Sequence, residues 1–246
     1  MIEVGFKSDK GLRRSNNEDA FFVIPNENIF MVADGVGGNN SGEVASRMTV
    51  SKIVEHIRQN TLNKKFTEIE IKEYFADCIE KVNKSIYNLS TIQPENKGMA
   101  TTVTIVYVND GEAYVVNVGD SRVYLHREGS LTQITEDHTY VNALIAKGLI
   151  SREEAQDHEK KNIITKAIGV EELILPDFFC VSVEDDDVIV LCTDGLHGEI
   201  GDAGIIETIA TGASMQDTAA TLIDRANEHG GRDNITVICL RIREDG

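Results

Sequence analysis

Short apolar runs rich in Val, Ile and Tyr, each bounded by Gly, Asp or Asn, constrain the fold of this chain more than any other feature. Such runs are typical of β-strands. They predict strands at residues 29–33, 102–108, 112–118, 122–126, 178–183, 188–193 and 235–242. Between residues 106 and 131 the runs are separated only by short turn-like pieces, NDG and REG. This spacing predicts a meander of antiparallel hairpins.

Helical periodicity is confined to other parts of the chain. Apolar residues recur at helical spacing in residues 43–59, 68–89 and 214–229. Because strands and helices occur in separate clusters, the pattern favours an α+β fold with sheets buried against outer helices, not a parallel βαβ sheet. No linker is apparent, so a single domain over residues 1–246 is predicted, with an irregular flap at about 137–169 that contains two short helical pieces.

Composition excludes several classes of function. The chain has 24 Lys and Arg against 41 Asp and Glu, a net charge of −17. This excess of acid disfavours binding to nucleic acid or to an anionic membrane surface. The sequence lacks a membrane-spanning apolar run and a secretory signal. Its four scattered cysteines form no C-x-x-C pair. A cytoplasmic protein is therefore predicted.

Four aspartates occupy similar places at the ends of predicted strands and turns. Asp34 and Asp194 each follow a strand and precede glycine, and Asp120 and Asp233 lie in the turns VGDSR and GGRDN. The simpler interpretation is that such residues merely mark turns. If the four converge at one edge of the sheets, however, they need a counter-charge, and oxygen ligands favour a hard ion such as Mg²⁺ or Mn²⁺.

Nine motifs together resemble one known family, the metal-dependent type 2C serine/threonine protein phosphatases of bacteria. In order they are GLRRSNNED (11–19), VADGVGG (32–38), SGEVAS (41–46), GMATTV (98–103), VGDSR (118–122), TEDH (135–138), NIITKAIG (162–169), TDGL (193–196) and GRDNITV (231–237). The resemblance covers essentially the whole chain. It implies a four-layer α/β/β/α fold, with a central antiparallel β-sandwich flanked by helices on both faces.

The resemblance also implies roles for individual residues. Asp34 would bridge two Mn²⁺ or Mg²⁺ ions, the Gly35 carbonyl would complete one metal site, and Asp194 and Asp233 would hold the other. Three further carboxylates have lesser roles: Glu18 and Asp19 match positions that contact metal-bound waters, and Asp120 matches a ligand of a third, weaker ion. Arg14 matches the arginine that binds phosphate.

The chain departs from the family pattern at a few positions. Val36 stands where animal members carry a histidine proposed to protonate the leaving group, which leaves the proton donor open. Arg13 stands where many bacterial members have valine. Either of the two adjacent arginines could therefore bind phosphate, and the spacing to the Asn-Glu-Asp motif favours Arg14. Lys161 and Lys166 replace arginines that are frequent in the flap.

The implied reaction is hydrolysis of phosphoserine and phosphothreonine in proteins by a hydroxide bridging two metal ions. The implied partners are phosphoproteins, including a cognate serine/threonine kinase and its substrates. No sequence feature indicates oligomerisation, so a monomer is expected. The alternative is a catalytically inactive scaffold or sensor. Inactive members usually lack one of the metal-binding aspartates, whereas this sequence retains all of them. Nucleotide binding by the glycine-rich residues 35–43 fails because Glu43 stands where a P-loop requires lysine.

Overall fold

The computed structural model describes residues 1–37, 41–92 and 96–243, and in these ranges the chain forms twelve strands and six α-helices. The strands are β1 Ile2–Asp9, β2 Ala20–Ile24, β3 Ile29–Ala33, β4 Gly35–Val36, β5 Ala100–Thr101, β6 Val103–Asn109, β7 Glu112–Val118, β8 Arg122–Arg127, β9 Ser130–Gln133, β10 Asp177–Ser182, β11 Val188–Cys192 and β12 Ile235–Ile242. The helices are α1 Ser41–Gln59, α2 Glu68–Ile92, α3 Tyr140–Ala146, α4 Arg152–Gln156, α5 Asp194–Ile209 and α6 Met215–Glu228.

The long strands form two five-stranded antiparallel sheets. Sheet A has the order β1-β12-β11-β8-β9, and sheet B has the order β10-β7-β6-β3-β2. The two short strands β4 and β5 pair separately. The α+β class predicted from the segregated strands and helices is confirmed.

Three apolar clusters hold the layers together. One lies between the sheets and includes Phe30 and Val32 of sheet B with Leu191 and Ile238 of sheet A. A second joins sheet B to α1 and α2, and a third joins sheet A to α5 and α6. Burying apolar surface on both faces of both sheets produces the four-layer α/β/β/α arrangement.

The predicted meander is wrong at one point. Strands β6 and β7 form a hairpin, as do β8 and β9, but β7 belongs to sheet B and β8 to sheet A. The chain therefore crosses between the sheets at Gly119. This residue has a φ of +112°, and a Cβ there would lie 2.4 Å from Cγ2 of Thr102. Glycine is required by both conformation and space.

Residues 137–169 contain the two short helices predicted for that segment, α3 and α4. Ser151 caps α4 in a capping box with Glu154. Thr139 and Ile164 form an isolated antiparallel bridge, which joins the two ends of the segment. We call residues 137–169 the flap. That this segment moves as a flap, and that the whole chain is one domain, stay predictions. No helix in the described ranges has the length and apolar composition needed to span a bilayer.

Candidate functional site

Sheet register brings the predicted carboxylates to one end of the sandwich. In sheet B, Asp34 follows the end of β3, and Asp19 precedes the start of β2, which pairs with that end of β3. In sheet A, Asp194 follows the end of β11, and Asp233 precedes the start of β12, which pairs beside it. The charges of Asp19, Asp120, Asp194 and Asp233 all act on Asp34, so the carboxylates from both sheets lie together, and the space among them is called the aspartate cleft.

The backbone around Asp34 is fixed by two threonines. Its N–H donates to Oγ1 of Thr102 at 2.9 Å. Its carbonyl accepts from Thr102 N at 2.8 Å and from Thr101 Oγ1 at 2.7 Å. With these groups satisfied by neighbours, the carboxylate of the half-buried Asp34 is left to face the cleft.

Asp19 is buried and joins the two sheets. Its Oδ2 accepts from Thr193 Oγ1 at 2.9 Å and from Thr236 Oγ1 at 2.7 Å. Thr193 directly precedes Asp194, and Thr236 lies three residues after Asp233. These hydrogen bonds therefore hold Asp19 against both metal-candidate aspartates of sheet A.

Asn234 organises the loop that carries Arg14 and Glu18. Its Oδ1 accepts from Glu18 N at 2.8 Å, and its Nδ2 donates to the carbonyls of Lys10 at 2.9 Å and Asn16 at 2.8 Å. Sequence reasoning did not single out Asn234. The signal available for it was its place between Asp233 and a strand start in the motif GRDNITV.

Of the two adjacent arginines, Arg14 makes the contact with a site carboxylate. Its Nη2 donates to Oδ2 of Asp233 at 2.7 Å, while Asp233 Oδ1 accepts from the N–H of Asn234 at 2.8 Å. Burial lowers the pKa of Arg14, but Asp233 outweighs this effect and the net pKa is raised. Arg13 is held nearby through its backbone N–H, which donates to the Gly231 carbonyl at 3.2 Å.

Two glycines allow three backbone segments to meet beside Glu18. A Cβ on Gly35 would lie 2.2 Å from the Gly42 carbonyl oxygen, and a Cβ on Gly42 would lie 2.4 Å from Oε2 of Glu18. Glu18 also accepts from Asn16 Nδ2 at 3.2 Å. The Gly35 carbonyl oxygen and Oε2 of Glu18 therefore lie close together, 2.7 and 2.4 Å from where a Cβ on Gly42 would be.

Asp120 lies in the segment that crosses between the sheets and is 6% exposed. Its carbonyl lies 3.2 Å from Nε2 of His197, in the first turns of α5. A simple turn residue faces solvent, whereas this carboxyl group is buried against the aspartate cleft. The burial argues against the turn interpretation of Asp120.

The site strongly disfavours negative charge in the absence of a cation. Burial, followed by the charges of Asp194 and other neighbours, raises the pKa of Asp19 and of Asp120 to about 7. Burial and the nearby carboxylates also raise the pKa of Asp34 well above its ordinary value. The pKa of Asp194 is raised by burial and by Asp233. A cation or a proton must therefore balance this cluster.

Three buried carboxylate oxygens in the described residues have no hydrogen-bond partner: Asp19 Oδ1, Asp120 Oδ1 and Asp194 Oδ1. Unpaired buried oxygens are costly and call for a ligand. Among the described residues, no three acidic, His or Cys side chains form a finished ligand cage. Since Mg²⁺ keeps several waters and binds through few carboxylates, the donor set fits hard ions held largely through water.

Two further predictions concern Val36 and the glycine-rich segment at residues 35–43. Val36, the last residue of β4, is exposed, and its side chain offers no proton donor. The glycine-rich segment weighed for nucleotide binding includes residues 38–40, which lie outside the described residues. The residues that sequence reasoning missed are mainly those that hold the carboxylates: Thr101, Thr102, Thr193, Thr236, Asn234 and His197.

A family model described as protein phosphatase 2C matches residues 12–236. The chain is 36% identical over 238 residues to a serine/threonine phosphatase stp of Listeria monocytogenes, with 96% of this chain and 94% of that protein covered. It is similar to the solved serine/threonine phosphatase of S. agalactiae, with a TM-score of 0.91, 33% identity and coverage of 99% and 100%. It is also similar to the catalytic domain of the phosphatase PstP in complex with two manganese ions, with a TM-score of 0.85, 31% identity and 99% coverage of each chain.

These matches extend over nearly the whole chain, and they agree with the fold. The chain thus belongs to the bacterial branch of the protein phosphatase 2C family and is a protein serine/threonine phosphatase.

Proposed function

We propose that this enzyme removes phosphate from phosphoserine and phosphothreonine in proteins with two divalent ions, Mn²⁺ or Mg²⁺, bound in the aspartate cleft. Asp34, the Gly35 carbonyl, Asp194 and Asp233 would hold these ions. Support comes above all from the orphaned oxygens of Asp19, Asp120 and Asp194, which lie buried in one acidic cluster. When bound, the ions supply an acidified water as the nucleophile and stabilise charge on the phosphoryl oxygens.

The chain's own residues prepare this site in advance. Thr193 and Thr236 hold Asp19 through one oxygen and leave the other buried without a hydrogen-bond partner. Asp19 and Glu18 would orient waters around the ions. Since their positions are fixed by hydrogen bonds before substrate arrives, little reorganisation accompanies the reaction.

Arg14 would bind the phosphate. Its side chain is 51% exposed, and one of its five N–H donors is used by Asp233. The remaining donors are available for a forked contact with two phosphoryl oxygens. The same ion pair keeps the guanidinium at the mouth of the cleft, where it offsets the negative charge met by an anionic substrate.

Asp120 would help hold a third, weaker ion together with Asp194. Its carboxyl group is among those whose pKa is raised by Asp194, so the two groups interact. An ion held by Asp120 and Asp194 would supply an acidified water as proton donor to the leaving oxygen, because Val36 offers no side-chain donor for that role.

The substrates would be phosphorylated proteins, among them a cognate serine/threonine kinase and the targets of that kinase, and the enzyme would act as a cytoplasmic monomer in signalling. The net charge of −17 does not prevent binding of phosphoproteins. The attraction would come from Arg14 and the ions in the cleft, not from the surface as a whole.

Paired variants test this proposal against an inactive scaffold. Asp34→Asn and Asp194→Asn should each remove nearly all turnover of a phosphothreonine peptide in Mn²⁺ while the circular dichroism spectrum is unchanged. Asp110→Asn is the matched control, because Asp110 is a hairpin residue with a φ of 50°, a conformation that Asn accepts readily. A wild-type protein without turnover in Mn²⁺ would favour the scaffold.

A further inference from the structure

Two histidines hold the segment that crosses between the sheets at Asp120. The Gly119 N–H donates to Nδ1 of His138 at 2.9 Å, and the Gly119 carbonyl accepts from the His138 N–H at 3.0 Å. On the other side of Asp120, its carbonyl lies 3.2 Å from Nε2 of His197. The peptide groups flanking Asp120 are thus bonded to residues from the flap and from α5.

The hydrogen bonds determine the tautomer of His138. Because Nδ1 accepts the Gly119 N–H, the proton of the neutral ring must lie on Nε2. That atom is 3.1 Å from Oδ2 of Asp177, the first residue of β10. A doubly protonated ring could not accept the Gly119 N–H, so this hydrogen bond itself requires a neutral ring. Burial and the nearby Lys166 lower the pKa of His138, and Asp177 opposes the effect.

Asp177 is also bonded to the far end of the flap. Its Oδ1 accepts from Nζ of Lys166 at 2.8 Å. The carbonyl of His138 accepts from the N–H of Thr165 at 2.7 Å. His138 and Asp177 therefore connect both ends of the flap to the backbone of Gly119, within one residue of a candidate metal ligand.

We propose that His138 is a positioning residue, which with Asp177 fixes the Gly119 peptide and so directs the Asp120 carboxyl group into the cleft. The inference rests on the proposed function of Asp120. Glycine has more conformational freedom than any other residue, so the orientation of the following residue must be imposed by its hydrogen bonds. His138 supplies two of them from a single residue.

Three variants separate the contacts. His138→Ala removes the acceptor for the Gly119 N–H and the contact with Asp177. His138→Asn keeps an oxygen acceptor near the position of Nδ1 and loses the contact with Asp177. Asp177→Asn retains an acceptor for the Nε2 proton and loses the charge that also binds Lys166.

The first measurement is amide hydrogen exchange at Gly119 in the intact chain. Loss of one hydrogen bond in His138→Ala should speed exchange there by roughly three- to tenfold, and His138→Asn should recover most of the protection. The second is calorimetric titration with Mn²⁺ alone, in which His138→Ala should retain the two tight sites and weaken the third. The third is turnover of a phosphothreonine peptide, in which kcat should fall with little change in KM.

His158→Ala is the matched control. His158 also lies in the flap, and its Nδ1 likewise accepts a backbone N–H, that of Lys160, at 3.0 Å. This variant should leave exchange at Gly119 and the Mn²⁺ titration unchanged.

Unchanged exchange at Gly119 in folded His138→Ala would overturn the inference. Exchange in His138→Asn as fast as in His138→Ala would also overturn it, because the restored acceptor should recover the protection. If Asp120→Ala slows turnover and weakens the third ion but His138→Ala does neither, the inference fails alone. If Asp120→Ala itself changes nothing, the proposed function of Asp120 fails and the inference fails with it.

Discussion

The guanidinium of Arg14 and the carboxylate of Asp233 form an ion pair in which Nη2 and Oδ2 are 2.7 Å apart. The contact joins the candidate phosphate ligand to a candidate metal ligand. Because Asp233 also accepts the N–H of Asn234, its orientation is fixed independently of Arg14. Arg14 can therefore turn toward a phosphate without leaving Asp233 unsupported.

The two arginines should differ sharply on substitution. Arg14→Ala should lower kcat/KM and raise KM for phosphopeptides, at a cost of about 1.5–3 kcal/mol for lost charge-assisted hydrogen bonds, or roughly ten- to hundredfold. Arg13→Ala should have a much smaller effect. Steady-state kinetics of both variants decides the assignment, and the reverse order would mean that Arg13 binds phosphate.

Asp120→Ala should affect two substrates unequally. A peptide phosphate has a poor alkoxide leaving group that needs a proton, whereas p-nitrophenyl phosphate releases a stable phenolate. Turnover of the peptide should therefore fall more, while two tightly bound metals are retained in a bound-metal assay. Equal losses on the two substrates would argue against proton delivery, and unchanged turnover would make Asp120 a structural residue.

The chelator-treated protein should lose stability as the pH rises. Burial raises the pKa of Asp19 from 3.8, the value for an unfolded chain, to about 7 in the folded protein. Between these two pH values the folded protein retains a proton that the unfolded chain has released. The melting temperature in EDTA should therefore fall from about pH 4 to pH 7, and Mn²⁺ should reduce the fall by replacing the proton. Thermal denaturation at several pH values measures this. Asp19→Asn should flatten the profile in EDTA, and an unchanged slope would exclude Asp19 as the source.

Gly42 should not tolerate a side chain. In Gly42→Ala the new Cβ would meet Oε2 of Glu18 at 2.4 Å and the Gly35 carbonyl at 2.7 Å. Glu18 or Gly35 must shift, so both Mn²⁺ affinity and turnover should fall. Gly198→Ala is the control, because a Cβ at this helical position has open space around it and alanine favours helix. Equal Mn²⁺ affinity in the two variants would contradict a role for this close approach in the site.

Hydrophobic periodicity is a local property, so the sequence predicted seven of the strands, β3, β6, β7, β8, β10, β11 and β12, and the helices α1, α2 and α6. It also drew attention to Asp34, Asp120, Asp194 and Asp233, whose charges interact in the structure. It did not predict β1, β2 or α5. Strand β1 alternates apolar and polar residues (IEVGFKSD) and β2 is apolar throughout (AFFVI), so both carry a strand pattern from which they could have been predicted. Helix α5 contains several glycines and has non-helical geometry at Gly201, which disguise its periodicity.

Contacts between distant residues were beyond the reach of sequence patterns. Nothing local distinguishes the turn of a hairpin from the crossing between two sheets at Gly119. Likewise, Thr236 contacts Asp19 across 217 residues of chain, a relationship that only packing of the two sheets creates.

Metal titration of chelator-stripped wild-type enzyme, with hydrolysis of a phosphothreonine peptide as the readout, tests the central claim most directly. The cluster of buried aspartates predicts no turnover in excess EDTA and recovery on adding Mn²⁺ or Mg²⁺, with at least two ions bound per chain at full activity. Asp34→Asn and Asp194→Asn should not recover at any metal concentration. Full turnover of the stripped wild-type enzyme in excess chelator would contradict the two-metal account.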